Sequence, residues 1–487
     1  MMQGENSRVR ARRADPDLFP LAAGASTLAR VGQPPERRLL WILFGLALLT
    51  RLVWVLWIHP PGEYLYSDMR LYAERATALA EGGIPAPTRT LAWQAYGTHM
   101  LLAAPLRLFG TQAPMLSGAL LWGLLGAFAV PLTYLLACRV LRERWQARTA
   151  GIAALLWFPN LSTTGFFLSE TPFLFAQVLS LYWLVVCFQD GKRAWPAGLA
   201  SAFAFMLRPQ AAVFYVLVLL VWLVNARRLK HVKWHHLVGV ATPLVLALGF
   251  SLWRFHYHTG YWGGIAENAN MNLTAGRCHN INTQAYRTEK ERAKAEKADD
   301  QTNGRRVTLP GFRTLKNWVP AWSPLALRPA LGGDSIRFVG YIGDPFVHRD
   351  IRHKCYAATG LLEQVRYSFV NMMLQWFVAG QWPETSKGHK HTLVIAEVYR
   401  YFFNTVVLLP SLVGIGLALR GIRRDPALAV LAMCLVGAML IAAIFFGDPR
   451  LRTPYDPVSI ILALYAVAVA LPAWRAWRAR RAGRTPA

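Results

Sequence analysis

Apolar runs of membrane-crossing length, joined by turns that alternate between basic and nearly uncharged, constrain this chain more than any other feature. A bilayer's hydrocarbon core calls for about 20 apolar residues in a helix. The first such run spans about Leu39 to Ile58, and others lie at about 115–137, 149–168, 171–189 and 237–253. Runs at 194–207 and 210–224 read as a hairpin, and three more follow at about 396–418, 426–446 and 457–474. Arg139, Arg142, Arg144 and Arg148 fill one turn, and Lys192 and Arg193 the next basic one. Arg227, Arg228, Lys230 and Lys233 fill a third, and Arg420, Arg423 and Arg424 a fourth. The short turns near Asn160 and near Arg208-Pro209 are almost free of charge apart from Arg208, and a long loop such as 254–395 crosses regardless of its charge; this is the positive-inside pattern and puts both chain ends in the cytoplasm. The expected fold class is an all-α polytopic membrane protein of about ten or eleven transmembrane helices.

Composition agrees where it bears on this. Only 16% of residues are charged against 54% hydrophobic, well below the roughly one-quarter charged of soluble domains. The formal charge of +27 collects at chain ends and cytosolic turns. Anionic lipid headgroups are its natural counter-charge. No basic–aromatic module of the kind that reads nucleic acid accompanies it, so nucleic acid is not among the expected partners.

The chain divides into five parts. Residues 1–38 read as a disordered basic cytosolic tail, and 39–253 as a transmembrane module with a first external loop at 59–114. Residues 254–395 form one long external segment, 396–475 the closing helices and 476–487 a basic tail. Within the first loop, Leu71, Tyr72, Ala76, Leu79 and Ala80 fall at helical spacing. They predict a surface helix over 69–81, ended by Gly82 and Gly83, and 98–109 predicts a second. Cys278 and Cys355 both fall in the long external segment, either as a disulfide or as two free thiols. Cys138, Cys187 and Cys434 read as small core residues.

The notable ionisable residues all fall at the external ends. Asp68 and Glu74 belong to the first loop, Glu170 to the second external turn and Arg208 to the third. Asp448, Arg450, Arg452 and Asp456 belong to the last, Gly447-Asp448-Pro449-Arg450-Leu451-Arg452-Thr453-Pro454-Tyr455-Asp456-Pro457. Ionisable groups beside a membrane bundle are costly and invite a functional explanation. Asp68 is expected to be a catalytic base, with helix capping as its plainer role. Arg450, Arg452 and Arg208 are expected to bind a phosphate, against a plainer role as interface anchors. Glu170, Tyr72, Glu74 and Tyr455 are expected to support these groups or the acceptor. His256 and His258, two residues apart, suit shared metal ligation on a strand better than on a helix.

Together these residues resemble the GT-C superfamily of membrane glycosyltransferases, in the branch of protein O-mannosyltransferases and lipid A aminoarabinose transferases. The resemblance is carried by Ser67-Asp68-Met69-Arg70-Leu71-Tyr72-Ala73-Glu74-Arg75 running to Gly82-Gly83, and by Leu108-Phe109-Gly110. Arg208-Pro209 and Arg450-Leu451-Arg452-Thr453-Pro454 complete it. The chain departs from the branch where relatives carry paired acidic residues, having Asp68 followed by Met69. It departs again where many relatives have a Pro-Pro segment, having Gln94-Ala95-Tyr96-Gly97-Thr98-His99. The resemblance implies transfer of a sugar from a polyprenyl-phosphate donor to a lipid, glycan or protein acceptor. The reaction would take place at the extracytoplasmic face of a bacterial inner membrane, with inversion. No metal-ligand set is expected among the site residues; the resemblance leaves room for a divalent cation and calls for no other cofactor. A flippase or transporter of lipid-linked glycans is the alternative, and predicts ionisable residues along a central path. A scaffold presenting the 254–395 segment is a third reading.

Overall fold

The computed structural model describes residues 33–82, 87–112, 115–278, 282–297, 305–308, 335–377, 394–395, 398–399 and 401–481. Of the expected tails at 1–38 and 476–487, residues 1–32 and 482–487 lie outside the described residues, as does Gly83, while residues 37–38 and 476–481 belong to helix ends.

Helix α1 (Arg37–Val53) runs into a π-helical stretch, Trp54–Ile58. The two predicted surface helices follow as α2 (Ser67–Gly82) and α3 (Gly97–Phe109), and they pair with each other. Next come α4 (Leu116–Val140), α5 (Arg144–Leu156), the short α6 (Phe158–Ser162) and α7 (Glu170–Asp190). The expected span at 149–168 is therefore not one helix. Trp157 is extended, with φ −72° and ψ 94°, and α6 restarts with proline in its first turn. Inside a helix a proline has no N–H to give the carbonyl four residues back, here that of Leu155, and its ring clashes with that carbonyl, whereas in a first turn it is tolerated; Pro159 is therefore the physical cause of the break.

Helices α8 (Ala194–Leu207), α9 (Ala211–Asn225) and α10 (Trp234–Thr259) follow. The hairpin legs α8 and α9 diverge at Arg208-Pro209. Helix α8 packs between α7 and α10, while α9 packs on α15 (Pro426–Ile444) near the chain's end. Seven helices are long and apolar enough to cross a membrane among the described residues, so the chain is an integral membrane protein. Two shorter apolar helices, α8 and α9, accompany them.

The segment after α10 has its own structure. It contains α11 (Asn268–Arg277), β1 (Asn282–Tyr286), α12 (Glu289–Lys297), β2 (Arg305–Thr308), β3 (Ser335–Val339) and the long α13 (Pro345–Trp376). The strands form a small sheet in the order β2-β1-β3, antiparallel between β1 and β2 and parallel between β1 and β3. A disulfide joins Cys278, just after α11, to Cys355 in α13, with Cα atoms 5.5 Å apart. Closing a 77-residue separation contributes about 4–5 kcal/mol in the chain-entropy account. Replacing both cysteines by serine is therefore expected to speed proteolytic cleavage within 268–376 at least tenfold and leave the membrane helices uncut. Limited proteolysis read by gel checks this.

The remaining helices are α14 (Leu409–Arg420), preceded by a π-helical stretch at Phe403–Leu408, then α15, the short α16 (Pro449–Arg452) and α17 (Asp456–Arg481). Helices α11 and α13 clasp the end of α15. Arg277 donates from Nε to the Ile444 carbonyl at 3.0 Å and from Nη2 to Ala443, satisfying carbonyls that a helix end leaves open. The Asn371 amide donates to the Gly276 carbonyl at 3.1 Å and to the Phe445 carbonyl at 2.8 Å. Gly276 and Gly447 are required here, because a Cβ on either would overlap the carbonyls of Phe445 and Asn371. The clasp ends one residue before Asp448, so it fixes where the last charged turn begins.

Candidate functional site

Helix α2 begins at Ser67, which holds φ +49°, a left-handed conformation costly for a residue with a Cβ. Asp68 thus sits inside the first turn of α2 instead of before it. Its carboxylate is spent on partners distant in sequence. Oδ2 accepts from Nη1 and Nη2 of Arg450 at 3.2 and 3.1 Å, and Oδ1 accepts from Nε2 of Gln94 at 2.9 Å. The side chain remains 31% exposed.

Arg450 comes from α16, where Asp448 caps the turn by accepting from the Arg450 N–H at 2.8 Å. Its Nε lies 2.8 Å from Oε1 of Glu170. The same Glu170 oxygen meets Nη2 of Arg208 at 2.5 Å. Arg208 also donates from Nε to the Ser169 hydroxyl at 3.0 Å and lies over the Phe173 ring. Asp68, Arg450, Glu170 and Arg208 therefore form one chain of alternating charge, exposed at the Asp68 end and closed at Glu170, whose side chain is 1% exposed. Tyr72 is buried beside them, and burial together with the Asp68 and Glu170 carboxylates pushes its phenol up to about 12.

Three expected site residues lie elsewhere. Arg452 is not at the Asp68 cluster. Its Nε pairs with Asp456 at 3.1 Å and its guanidinium lies 3.8 Å from the Phe403 ring centroid, while Asp456 accepts from the Trp157 indole at 2.8 Å. The spacing is the reason: residue 452 is half a turn from 450, so the two side chains leave α16 on different sides. Tyr455 is buried behind Arg208, meeting Phe173 edge-on at 5.8 Å. Glu74 points from the exposed face of α2. His256 and His258 lie on helix α10 and share no ligand geometry: His256 stacks on Trp262 and His258 accepts from the Thr88 N–H.

Sequence reasoning did not single out the layer beneath Asp68. Gln94, 2% exposed, accepts at Oε1 from Nη1 of Arg75 at 2.7 Å. Beside them Arg254 lies over the Tyr96 ring at 4.5 Å, and His99 is fully buried. Burial first, then the positive charges of Arg75, Arg254 and His258, hold the His99 imidazole well below its ordinary 6.5. An unfolded chain would protonate it near 6.5, so the unfolded state binds more protons below that pH and stability falls as pH drops. Above pH 6.5 this contribution is flat. His99→Gln is expected to flatten the loss of thermal stability between pH 6.5 and 5.5, read as half-life at fixed temperature in lipid.

A divalent cation needs free carboxylate oxygens. Here Arg450 already bridges Asp68 and Glu170, and Arg208 shares Glu170. Among the described residues no three of His, Cys, Asp and Glu gather as a ligand set.

No family model matches this chain, and no curated protein matches it. Among solved structures it is similar to the Archaeoglobus fulgidus oligosaccharyltransferase in its apo form, at 11% identity and a TM-score of 0.46 over 93% of this chain. The same enzyme tethered to an acceptor peptide containing the NVT sequon gives 11% identity and a TM-score of 0.43 over 91% of this chain. The chain spans about half the length of these archaeal chains, 53% and 51%. ArnT from Cupriavidus metallidurans bound to undecaprenyl phosphate gives 14% identity and a TM-score of 0.36, covering 90% of this chain and 79% of that one.

Proposed function

We propose that this chain is a GT-C-type membrane glycosyltransferase that moves a sugar from a polyprenyl-phosphate donor to an acceptor hydroxyl, inverting the anomeric centre. The observation that carries the reading is Asp68, one-third exposed at the open end of a charge chain that closes inward through half-buried Arg450 to buried Glu170 and Arg208. A carboxylate so placed can take the proton of an acceptor hydroxyl as that oxygen attacks the anomeric carbon. The bond from that carbon to the donor phosphate breaks, and its electron pair leaves on the lipid phosphate, which needs no general acid.

The leaving phosphate needs fixed positive charge. Arg450 supplies it, through the same Nη atoms that hold Asp68. Donor phosphate and Asp68 thus compete for one guanidinium, and donor binding frees the second Asp68 oxygen for the acceptor. Arg208, 5% exposed, acts on the phosphate only through Glu170, which holds Arg450 in place. The modules at 39–253 and 396–475 would build the catalytic bundle, with the Asp68 face turned outward from a bacterial inner membrane. The 254–395 segment would select the lipid, glycan or protein acceptor.

The test is sugar release from a panel of radiolabelled polyprenyl-phosphate sugars by purified protein in lipid, with membranes supplying acceptor and Asp68→Asn run beside wild type. A donor consumed by wild type and spared by the variant supports the reading. Equal consumption by both removes Asp68 as base, and no consumption of any donor shifts the weight to lipid-linked glycan transport.

A further inference from the structure

Gln94 lies in the segment where the chain departs from its resemblance, and the base reading leaves it without a task. Among the described residues, its amide is the one side-chain group hydrogen-bonded both to Asp68 and to the buried layer below. An amide can face a carboxylate by either end, and only the N–H₂ end attracts it. Here the choice is made by Arg75, whose Nη1 donates to Gln94 Oε1 at 2.7 Å and leaves Nε2 to donate to Asp68 Oδ1 at 2.9 Å.

Arg75 itself is a costly residue to place there. It is 6% exposed and forms no ion pair among the described residues. A buried cation with no direct ion pair, its nearest carboxylates acting only at a distance, is a net loss to the fold unless something else is gained. What the arrangement gains is a hydrogen bond to Asp68 polarised by a guanidinium one bond further on, since linked hydrogen bonds strengthen one another. The bond also fixes the carboxylate about its terminal torsion, which is otherwise broad. With Oδ2 held by Arg450, the plane of Asp68 is set from both sides.

We propose that Gln94 is a positioning residue for the transfer reaction: locked by Arg75, it holds Oδ1 and so orients the Asp68 carboxylate that Oδ2, once the donor phosphate has drawn Arg450 away, meets the acceptor hydroxyl. The inference rests on Asp68 as the base. Donor phosphate drawing Arg450 away makes Gln94 the holder that stays, so the role is greatest at the moment of proton transfer.

The experiment measures kcat, KM and the pH profile of sugar transfer for wild type, Gln94→Met, Gln94→Glu and Asp68→Asn, each in lipid. Gln94→Met keeps length and loses the donor. It is expected to lower kcat by about 10–100-fold, the worth of one hydrogen bond to a charged group, with donor KM within about twofold of wild type. Gln94→Glu sets a second carboxylate against Asp68, and like charges at that distance raise the pH at which the pair takes up a proton. The acid limb of its kcat/KM profile is expected about one pH unit or more above that of wild type. The other groups acting on Asp68 are Arg450, Tyr72 and Arg75, with Glu170, Arg208 and Asp448 behind Arg450, and they are common to both proteins. A merely structural role would lower the folded fraction and move neither the limb nor the kcat to KM split. Unchanged kcat in Gln94→Met together with an unchanged limb in Gln94→Glu overturns the proposal while Asp68→Asn stays inactive. An active Asp68→Asn overturns the base reading first.

Discussion

Asp68→Asn is expected to lower sugar transfer by about 10²–10⁴-fold, the usual worth of a positioned general base, while the protein still assembles in lipid. The substitution keeps the size of the side chain and most of its contacts. Both groups that face the carboxylate are donors, Gln94 Nε2 on one side and the Arg450 Nη atoms on the other. The new amide must therefore turn one N–H₂ toward a donor. Gln94 cannot easily reverse to accept it, because its oxygen already serves Arg75. Some loss of stability will accompany the loss of turnover, and the two are separated by measuring turnover per folded molecule. Asp68→Glu is the informative companion: it restores the charge and shifts the oxygens by a methylene. Turnover of Asp68→Asn within threefold of wild type would refute the assignment.

The second large effect is expected on assembly. Glu170 is 1% exposed and its Oε1 meets both Arg208 and Arg450. Removing one partner of a buried ion pair leaves the other charge uncompensated and typically costs about 3–5 kcal/mol. Glu170→Ala leaves Arg208, among the described residues, with the Ser169 hydroxyl and the Phe173 ring and no ion pair, while Arg450 keeps Asp68. The expected result is a half-life at fixed temperature in lipid shorter by two orders of magnitude or more, with transfer lost as Arg450 drifts. Glu170→Gln keeps an oxygen acceptor for both guanidiniums and should lose less. A wild-type half-life for Glu170→Ala would mean that Arg208 finds another counter-charge, and the charge chain would then not be what holds this face together.

Much of the site was legible because its residues are out of place in apolar surroundings. Asp68, Glu170, Arg208 and Arg450 are ionisable groups at the ends of apolar runs, and the fold brings these four together. Arg452 shows the limit of that logic, since two neighbouring arginines in one turn leave it on different sides. The layer beneath was hidden for another reason. Gln94, Thr98 and His99 are uncharged or weakly charged and read as ordinary loop composition. One signal was present: Arg75 falls three residues after Tyr72 and four before Leu79, on the face of α2 otherwise given to apolar residues. A cation on a buried stripe asks for a partner, and Gln94 is that partner. The break at Trp157 was also legible, in Pro159, but hydropathy alone runs straight through it. The pairing of α9 with α15 across more than 200 residues was not, because both helices are apolar on every side.

The Asp68–Arg450 bond joins residues 382 apart, and this sets an order of events during synthesis. At about 5–20 residues per second, Arg450 emerges roughly 20–80 s after Asp68. In that interval Glu170 can meet only Arg208, and Asp68 stands in water with no guanidinium opposite it. The clasp formed by α11 and α13 is translated before the helix end it grips, so it waits as a preformed socket for the last turn. A nascent chain halted just before residue 450 carries six of the seven long apolar helices found among the described residues but not the completed charge chain. Quality control that senses unpaired charge at the membrane face would find its target in that interval.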